Sequence, residues 1–378
     1  MLTKTKLLIL SITIALALAA QCSPQPAQPV AQSAAEEHRE DEAHEKEAEH
    51  QEDEEHTEHD EAVELSAVDL AGGEKLKVVA TTNIVGDMAH NVGGDMIALT
   101  TMLPIGADPH TFTPTPQDAA AAADAHVVFI NGLNLEEFLD ELIENAGGEA
   151  TVVALSTNVE IREFEEMEGH EQSDEAGEHH EEDEEEEHIE EAEHSGEPGH
   201  HHEGADSHIW MTPANAIVMV HNIEHALSEL DPANAETYEA NAEAYQTQLE
   251  ELDAWVKAQI ESIPAENREM VTDHDAFGYY ADRYGLEVIG AVIPAISTGA
   301  EPSAADLAAL QAAIADLDAR AIFVGTTVNP KLAEQVARDS GIQLVPLYTG
   351  SLGQAGSGVE SYLDFIRANT MAIVEALK

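Results

Sequence analysis

Short apolar runs rich in β-branched residues alternate along this chain with stretches of helical periodicity, a pattern that is typical of βα proteins. In the first half, strands are predicted at residues 76–81, 97–103, 127–131 and 151–155. Helices are predicted there at residues 84–91, 116–125, 135–145 and 213–230. Strands that alternate with helices in this way predict a parallel four-stranded sheet covered by helices.

The second half repeats the same alternation. Strands are predicted at residues 269–272, 287–293, 321–324 and 343–347. Helices are predicted at residues 276–284, 303–317, 330–340 and 359–377. The predicted fold class is therefore α/β, with two lobes that each contain a four-stranded parallel sheet and flanking helices.

One long helix is predicted between the lobes, over residues 231–263. Its apolar positions recur at alternating spacings of four and three, which places them in one stripe on the helix. Asp231 is the predicted N-cap, Pro232 lies in the first turn, and Pro264 ends the helix. About thirty residues at 1.5 Å each span roughly 45 Å, a length that suits a rigid connection between two lobes.

The first residues have the pattern of an export signal. Lys4 and Lys6 precede an apolar run at residues 7–20, and Cys22 follows at once. The arrangement looks like a bacterial lipoprotein signal, in which residues 1–21 are removed and Cys22 is lipidated. The alternative is an ordinary secretory peptide, and both predict an exported protein. Cys22 is the only cysteine, so no internal disulfide can form.

The charge of the chain is concentrated in two tracts. The formal net charge is −61, and the chain contains 20 histidines. Residues 34–64 and 163–205 consist mainly of Glu, Asp and His, which predicts disorder because they contain too little apolar surface to form a core. The scarcity of Lys and Arg argues against nucleic-acid binding.

The predicted domain organisation has a signal (1–21), a tether (22–74), an N-terminal lobe with an insertion (75–230), the linking helix (231–263) and a C-terminal lobe (264–378).

Three histidines follow predicted strands, where open α/β folds bind their ligands. His110, His208 and His274 come from distant parts of the chain, and three imidazoles at strand ends suggest a borderline-soft cation such as Zn²⁺. Asp273 or Asp275 could accept a ring proton of His274, and Glu301 is a further candidate beside the site. A single histidine in a loop could instead be an ordinary solvent-exposed residue and not a metal ligand. Four other histidines are interpreted as structural: His90, His126, His221 and His225.

The segments around these histidines carry a family resemblance. Residues 106–114 read Gly-x-Asp-Pro-His-x-Phe-x-Pro, residues 206–210 read Asp-Ser-His-Ile-Trp, and residues 274–279 read His-Asp-Ala-Phe-Gly-Tyr. They resemble the metal-binding proteins of zinc and manganese ABC importers, over residues 75–378 without the insertion. The resemblance implies a metal in the cleft between the lobes, an ABC permease as partner and an envelope location. His274 matches the zinc-type form, because manganese-type relatives tend to have a carboxylate there.

Ser207 replaces the Pro that is usual in the second segment, and one further departure from the family pattern affects the ligand set. Relatives often have an Asp at the place of Gly350, which supplies a fourth ligand. The resemblance therefore implies three histidines plus water or another residue here. It predicts that Gly350→Asp adds an oxygen ligand and improves Mn²⁺ binding relative to Zn²⁺. The resemblance also suggests that the His-rich tracts bind zinc weakly, while the alternative for them is a solvated charge run.

The leading interpretation is a high-affinity zinc-binding protein that delivers Zn²⁺ to an ABC import permease and is not an enzyme. One alternative is a manganese or other divalent-metal protein of the same family. Another is an envelope zinc buffer or adhesin in which the tracts are the functional part. A third alternative is a zinc hydrolase, because three histidines plus water form a catalytic geometry, but the sequence contains no His-Glu-x-x-His motif or nucleophile elbow.

Overall fold

The computed structural model describes residues 65–163 and 204–378, apart from 137, 139–141, 143–149, 296 and 318. The signal, Cys22, the first acidic tract, residues 164–203 of the second tract and most of the predicted helix at 135–145 lie outside the described residues. Within the described residues, no helix has the length and apolar character that crossing a membrane requires.

The N-terminal lobe is built on a parallel sheet with the strand order β2-β1-β3-β4. Its strands are β1 (Leu76–Ala80), β2 (Ile97–Thr101), β3 (Val127–Ile130) and β4 (Thr151–Ala154). Its helices are α1 (Asn83–Gly93), α2 (Pro116–Asp124) and α3 (Pro213–Leu230). Thr115 caps α2 with Asp118 in a capping box, and Thr212 caps α3 through the backbone N–H of Asn215.

The C-terminal lobe has the same topology, with the strand order β6-β5-β7-β8. Its strands are β5 (Glu269–Thr272), β6 (Glu287–Ala291), β7 (Ala321–Gly325) and β8 (Gln343–Leu347). A helix over Ala235–Ile260, α4, connects the two lobes and is followed by α5 (Gly278–Tyr284), α6 (Ala304–Asp316), α7 (Lys331–Ser340) and α8 (Tyr362–Leu377). The predicted fold class, with four parallel strands in each lobe, is confirmed.

The linking helix α4 buries the stripe of residues that the sequence predicted. Its buried residues are Tyr238, Ala242, Tyr245, Leu249, Leu252, Val256 and Ile260. It contacts both lobes, because Asn241 donates to the carbonyl of Val92 (2.9 Å), while Tyr284 donates to Asp253 (2.7 Å). At 26 residues the helix spans about 39 Å.

The predicted start of this helix was wrong. Asp231 is the C-cap of α3, and α4 begins at Ala235 with Asn234 as its N-cap. The Asp231 carboxylate accepts hydrogen bonds from the side chains of Asn234 (2.7 Å) and Tyr238 (2.9 Å). A turn therefore separates two consecutive helices, and Asp231 stabilises the second helix from outside it.

Several predicted strands also end earlier than expected. The strand predicted at 97–103 ends at Thr101, and the one predicted at 287–293 ends at Ala291. The residues that follow still donate single hydrogen bonds to the neighbouring strand, as Met102 does to the carbonyl of Ala80 (2.9 Å). The apolar run therefore continues into the loops at the carboxyl edge of each sheet, where the candidate site lies.

Candidate metal site

The structure brings His110, His208 and His274 together between the lobes. His110 follows β2, His208 precedes the short 3₁₀ turn Ile209–Met211, and His274 follows β5. One ring nitrogen of each histidine lies within 4.8 Å of those of the other two. The Nε2 atoms of His110 and His208 are 3.1 Å apart. A tetrahedral ion with Zn–N bonds near 2.1 Å requires nitrogens about 3.4 Å apart, so the cluster has the size of a single-ion site.

Two carboxylates fix the tautomers of the buried rings. Asp206 Oδ1 lies 2.8 Å from Nδ1 of His208, and Asp273 Oδ1 lies 3.0 Å from Nδ1 of His274. An ionised carboxylate only accepts hydrogen bonds, so each Nδ1 carries the proton. Each Nε2 then keeps a lone pair for a metal ion, an arrangement common to histidine ligands in metal sites.

The rings of His110 and His274 differ in their readiness to take up a proton. Burial, together with the nearby rings of His208 and His274, lowers the pKa of His110 to about 2. Burial also opposes a charge on His274, but the carboxylates of Asp273, Asp108 and Asp275 together outweigh this and raise the pKa of His274 above its usual 6.5. His110 is therefore neutral at every physiological pH, whereas His274 takes up a proton more readily than an ordinary histidine.

Local turns orient the histidine loops. The backbone N–H of His110 donates to Asp108 (3.1 Å), and the backbone N–H of His208 donates to Asp206 (3.0 Å), so both loops use an Asp-x-His turn. The other oxygen of Asp108 accepts a hydrogen bond from Thr298 of the C-terminal lobe (2.6 Å). One carboxylate thus shapes the His110 loop and connects it to the opposite lobe.

A buried acidic residue supports the loop beneath His208. The carboxylate of Glu136 accepts hydrogen bonds from Thr81 and from the backbone N–H groups of Asn131 and Gly132, at 2.6, 2.8 and 3.1 Å. Asn131 in turn donates to the carbonyl of Ser207 (2.9 Å). The tight turn needs Gly132, whose φ is +89°. Through this network, the end of β3 positions the residue that precedes His208.

The two lobes are in close contact beside the histidines. Asn83 donates to Ser351 (3.0 Å) and accepts from the backbone N–H of Leu352 (2.8 Å). Trp210, whose ring packs against His208, donates to the carbonyl of Thr349 (2.8 Å). The loop at 349–352 therefore meets the N-terminal lobe through several buried hydrogen bonds.

Gly350 lies in this interlobe contact. A Cβ atom on Gly350 would stand 2.5 Å from Cδ of Pro109 and 2.9 Å from its Cγ, much closer than van der Waals contact allows. Its φ is outside the positive range, so the restriction comes from the neighbouring ring and not from the backbone. A side chain at position 350 would push on Pro109 and so on the adjacent His110.

The other sequence candidates have different positions. Asp273 contacts the His274 ring as anticipated, whereas Asp275 faces Arg162, 3.6 Å from its Nη1 atom. Glu301 is exposed, and in the part of the chain that the structure describes its carboxylate has no hydrogen bond to a histidine ring. Asp206 and Arg162 were not predicted. The repeated Asp-x-His spacing at 108–110 and 206–208 could have indicated Asp206, but no sequence signal pointed to Arg162.

Comparisons with known proteins agree on one family. Residues 78–376 match the family described as ZnuA, zinc-uptake complex component A, periplasmic. The chain is 33% identical over 306 residues to the manganese-binding lipoprotein MntA of Halalkalibacterium halodurans, which covers 81% of this chain and 89% of that protein. It is 32% identical over 308 residues to the iron ABC transporter substrate-binding lipoprotein MtsA of Streptococcus pyogenes, covering 81% and 90%.

A solved structure leads to the same family. The periplasmic zinc-binding protein TroA from Treponema pallidum superimposes with a TM-score of 0.66 at 28% identity, over 80% of this chain and 99% of TroA. Such proteins bind a divalent metal and work with a membrane permease and its ATPase, so the hydrolase alternative is set aside. With two lobes, an interlobe cluster of histidines and a family match over most of its length, the chain belongs to the ZnuA family of metal-binding substrate-binding proteins of ABC transporters.

Proposed function

We propose that this protein captures Zn²⁺ outside the cytoplasmic membrane and delivers it to an ABC import permease. His110, His208 and His274 would coordinate the ion through their Nε2 atoms. The observation that carries the proposal is the convergence of three ring nitrogens within 4.8 Å, two of them on rings oriented by carboxylates. The cation would lie between lobes that only α4 connects covalently, and this rigid helix should limit the movement on binding.

The choice of zinc rests on the chemistry of the ligand set. Imidazole nitrogen suits zinc, whereas manganese prefers carboxylate, carbonyl and water oxygens. Asp206 and Asp273 each use one oxygen to hold a ring proton. Relatives whose names specify manganese or iron support a second candidate, in which the same site carries one of those ions.

Metal content and competition distinguish these candidates. Protein purified without added metal is expected to contain about one tightly held zinc ion per chain, and Zn²⁺ should displace Mn²⁺ when both are supplied at equal concentration. Measurement by elemental analysis and competition titration tests this directly. Tight binding of Mn²⁺ that survives equimolar Zn²⁺ would favour the manganese candidate instead.

The proposed location is the outer face of the cytoplasmic membrane or the periplasm, with a lipid anchor on Cys22. The support is the signal pattern before Cys22 and the word lipoprotein in the names of relatives. Residues 22–74 would then be a tether in front of the N-terminal lobe (75–230), the linking segment (231–263) and the C-terminal lobe (264–378). A mature protein that starts at another residue, without an added lipid mass, would contradict the anchor.

The affinity for zinc should decrease as the pH falls. Zinc displaces a proton from any protonated ligand, and the raised pKa of His274 makes this ring protonate at a higher pH than ordinary histidine. Below that pKa we expect the affinity to fall about tenfold per pH unit for each competing proton. Competition titrations between pH 8 and 5 measure the slope, and a constant affinity would point to carboxylate ligands.

Removing the acidic tracts should reduce the number of zinc ions bound but leave the tightest site intact. The ends of the insertion are adjacent, because Glu163 pairs with Ala205 in an antiparallel bridge. A variant without residues 164–203 and 34–64 can therefore be closed with a short glycine-serine linker. We expect the tightest zinc to be retained and the weaker ions to be lost in a calorimetric titration. Loss of the tight site with an unchanged melting temperature of the metal-free protein would support the zinc buffer alternative.

A further inference from the structure

Next to the histidine cluster, a single guanidinium connects carboxylates of both lobes. Nη1 of Arg162 lies 3.6 Å from Asp206 in the N-terminal lobe and 3.6 Å from Asp275 in the C-terminal lobe. Its Nε atom donates to Asp282 at 3.0 Å. Burial disfavours its charge, but Asp275 and Asp206 raise the pKa of Arg162 above the usual value, so it stays a cation.

The two inner carboxylates are direct neighbours of the histidines. Asp206 holds the His208 ring with one oxygen, while its other oxygen has no hydrogen-bond partner within the described residues. Its side chain is 0% exposed, and Arg162 is the one Lys or Arg within 4.0 Å of it in the described part of the chain. Asp275 directly follows His274. Because a buried carboxylate needs a nearby opposite charge, Arg162 balances Asp206 within the N-terminal lobe, while its contacts with Asp275 and Asp282 cross the lobe boundary.

The protein backbone is shaped to admit this guanidinium. A Cβ atom on Gly278, the first residue of α5, would stand 2.5 Å from both Cζ and Nη1 of Arg162. Tyr279 completes the contact, since its hydroxyl accepts from the backbone N–H of Arg162 (2.9 Å) and donates to the carbonyl of Asp206 (3.0 Å). The start of α5 therefore packs on Arg162 and Asp206 together.

We propose that Arg162 is a positioning residue that holds the two lobes closed on the bound metal and so slows its release. This inference rests on the proposed function, because it assumes that the histidine cluster binds the ion. Pairing with Asp206 and Asp275 joins the support of His208 to the segment that carries His274. The expected faster release without Arg162 is opposite to what charge repulsion alone predicts. A cation near the site repels a metal ion, so removal of the Arg162 charge would by itself strengthen zinc binding.

The experiment measures zinc release from the full-length chain loaded with one equivalent of Zn²⁺. The complex is mixed with excess chelator, and the slowest release phase is followed by stopped flow. Arg162→Gln removes the charge, and Gly278→Ala keeps it but pushes the guanidinium away from the two carboxylates. Arg338→Gln is the matched control, because it removes one positive charge whose partner, Glu334, lies on the same helix α7.

We expect Arg162→Gln and Gly278→Ala each to accelerate release about tenfold, with the association rate nearly unchanged, because interface losses act mainly on dissociation. A purely structural role would instead lower the melting temperature of the metal-free protein without separating the two rates. Unchanged or slower release in either variant, with Arg338→Gln equal to wild type, overturns the inference.

If His110→Ala removes the slow phase while Arg162→Gln leaves it unchanged, the proposed function stands and the role of Arg162 is wrong. A wild-type chain without a slow zinc phase overturns both.

Discussion

Replacing His110 by alanine is expected to weaken zinc binding at least about tenfold, or 1.4 kcal/mol, without lowering the stability of the metal-free protein. The reason is that, within the described residues, its ring contacts the other two histidine rings, with Nε2 of His208 3.1 Å away, and supplies no hydrogen bond to Asp206 or Asp273. The Asp108 carboxylate binds the backbone N–H of residue 110, which alanine keeps. Competition titration against a chelator and thermal unfolding of the metal-free form give the two quantities.

Alanine at His208 or His274 should lower the stability of the metal-free protein as well as the zinc affinity. Each alanine removes a ligand, and it also leaves Asp206 or Asp273 buried without the ring N–H that it accepts. Each carboxylate still accepts a backbone N–H, but a hydrogen bond to a charged group contributes about 1.5–3 kcal/mol, so the unfolding free energy of the metal-free protein should fall by about that amount. His221→Ala on the exposed face of α3 is the matched control, since its side chain is 67% exposed. Wild-type affinity in all three variants would exclude these histidines as ligands.

A methyl group at Gly350 is expected to weaken zinc binding about tenfold, as His110→Ala does. Gly350→Ala places a carbon atom 2.5 Å from the ring of Pro109, so the loop that carries His110 must move or the lobes must separate. Proline is rigid, and it cannot move aside as a flexible side chain could. The clash is confined to two loops at the lobe boundary, so the melting temperature should change less than the affinity. Zinc affinity equal to wild type would show that this contact is not required for binding.

The alanine variant also makes the aspartate variant interpretable. Gly350→Asp has the same steric effect and adds a carboxylate, so the two variants together separate displacement from coordination. We expect zinc binding to weaken in both, and the ratio of Mn²⁺ to Zn²⁺ affinity to rise in Gly350→Asp relative to Gly350→Ala, because manganese prefers oxygen ligands. Equal ratios in the two variants would mean that a side chain at position 350 does not reach the metal.

Local patterning accounts for the parts of this protein that the sequence predicts well. The strand β8 and the helix α3 have the predicted bounds, because apolar periodicity, Thr212 and Pro213 are signals within a few residues of each element. The start of α4 was missed because Asp231 and Pro232 satisfy the same local rules at the end of one helix as at the start of the next. Such signals indicate a helix boundary, but they do not distinguish the end of one helix from the start of the next.

The sequence by itself determined the fold class, the buried stripe of α4 and the three histidines, since each depends on residue type and spacing along the chain. Only the tertiary structure decided which charged groups support those histidines. Asp206 and Arg162 are 44 residues apart in sequence, and Asp275 lies still further along the chain. The contact of Arg162 with Asp206 forms inside the N-terminal lobe, whereas its contact with Asp275 depends on how the two lobes meet. The same is true of Gly350, whose restriction comes from Pro109 in the opposite lobe. Contacts of this range arise from packing, which no local periodicity encodes.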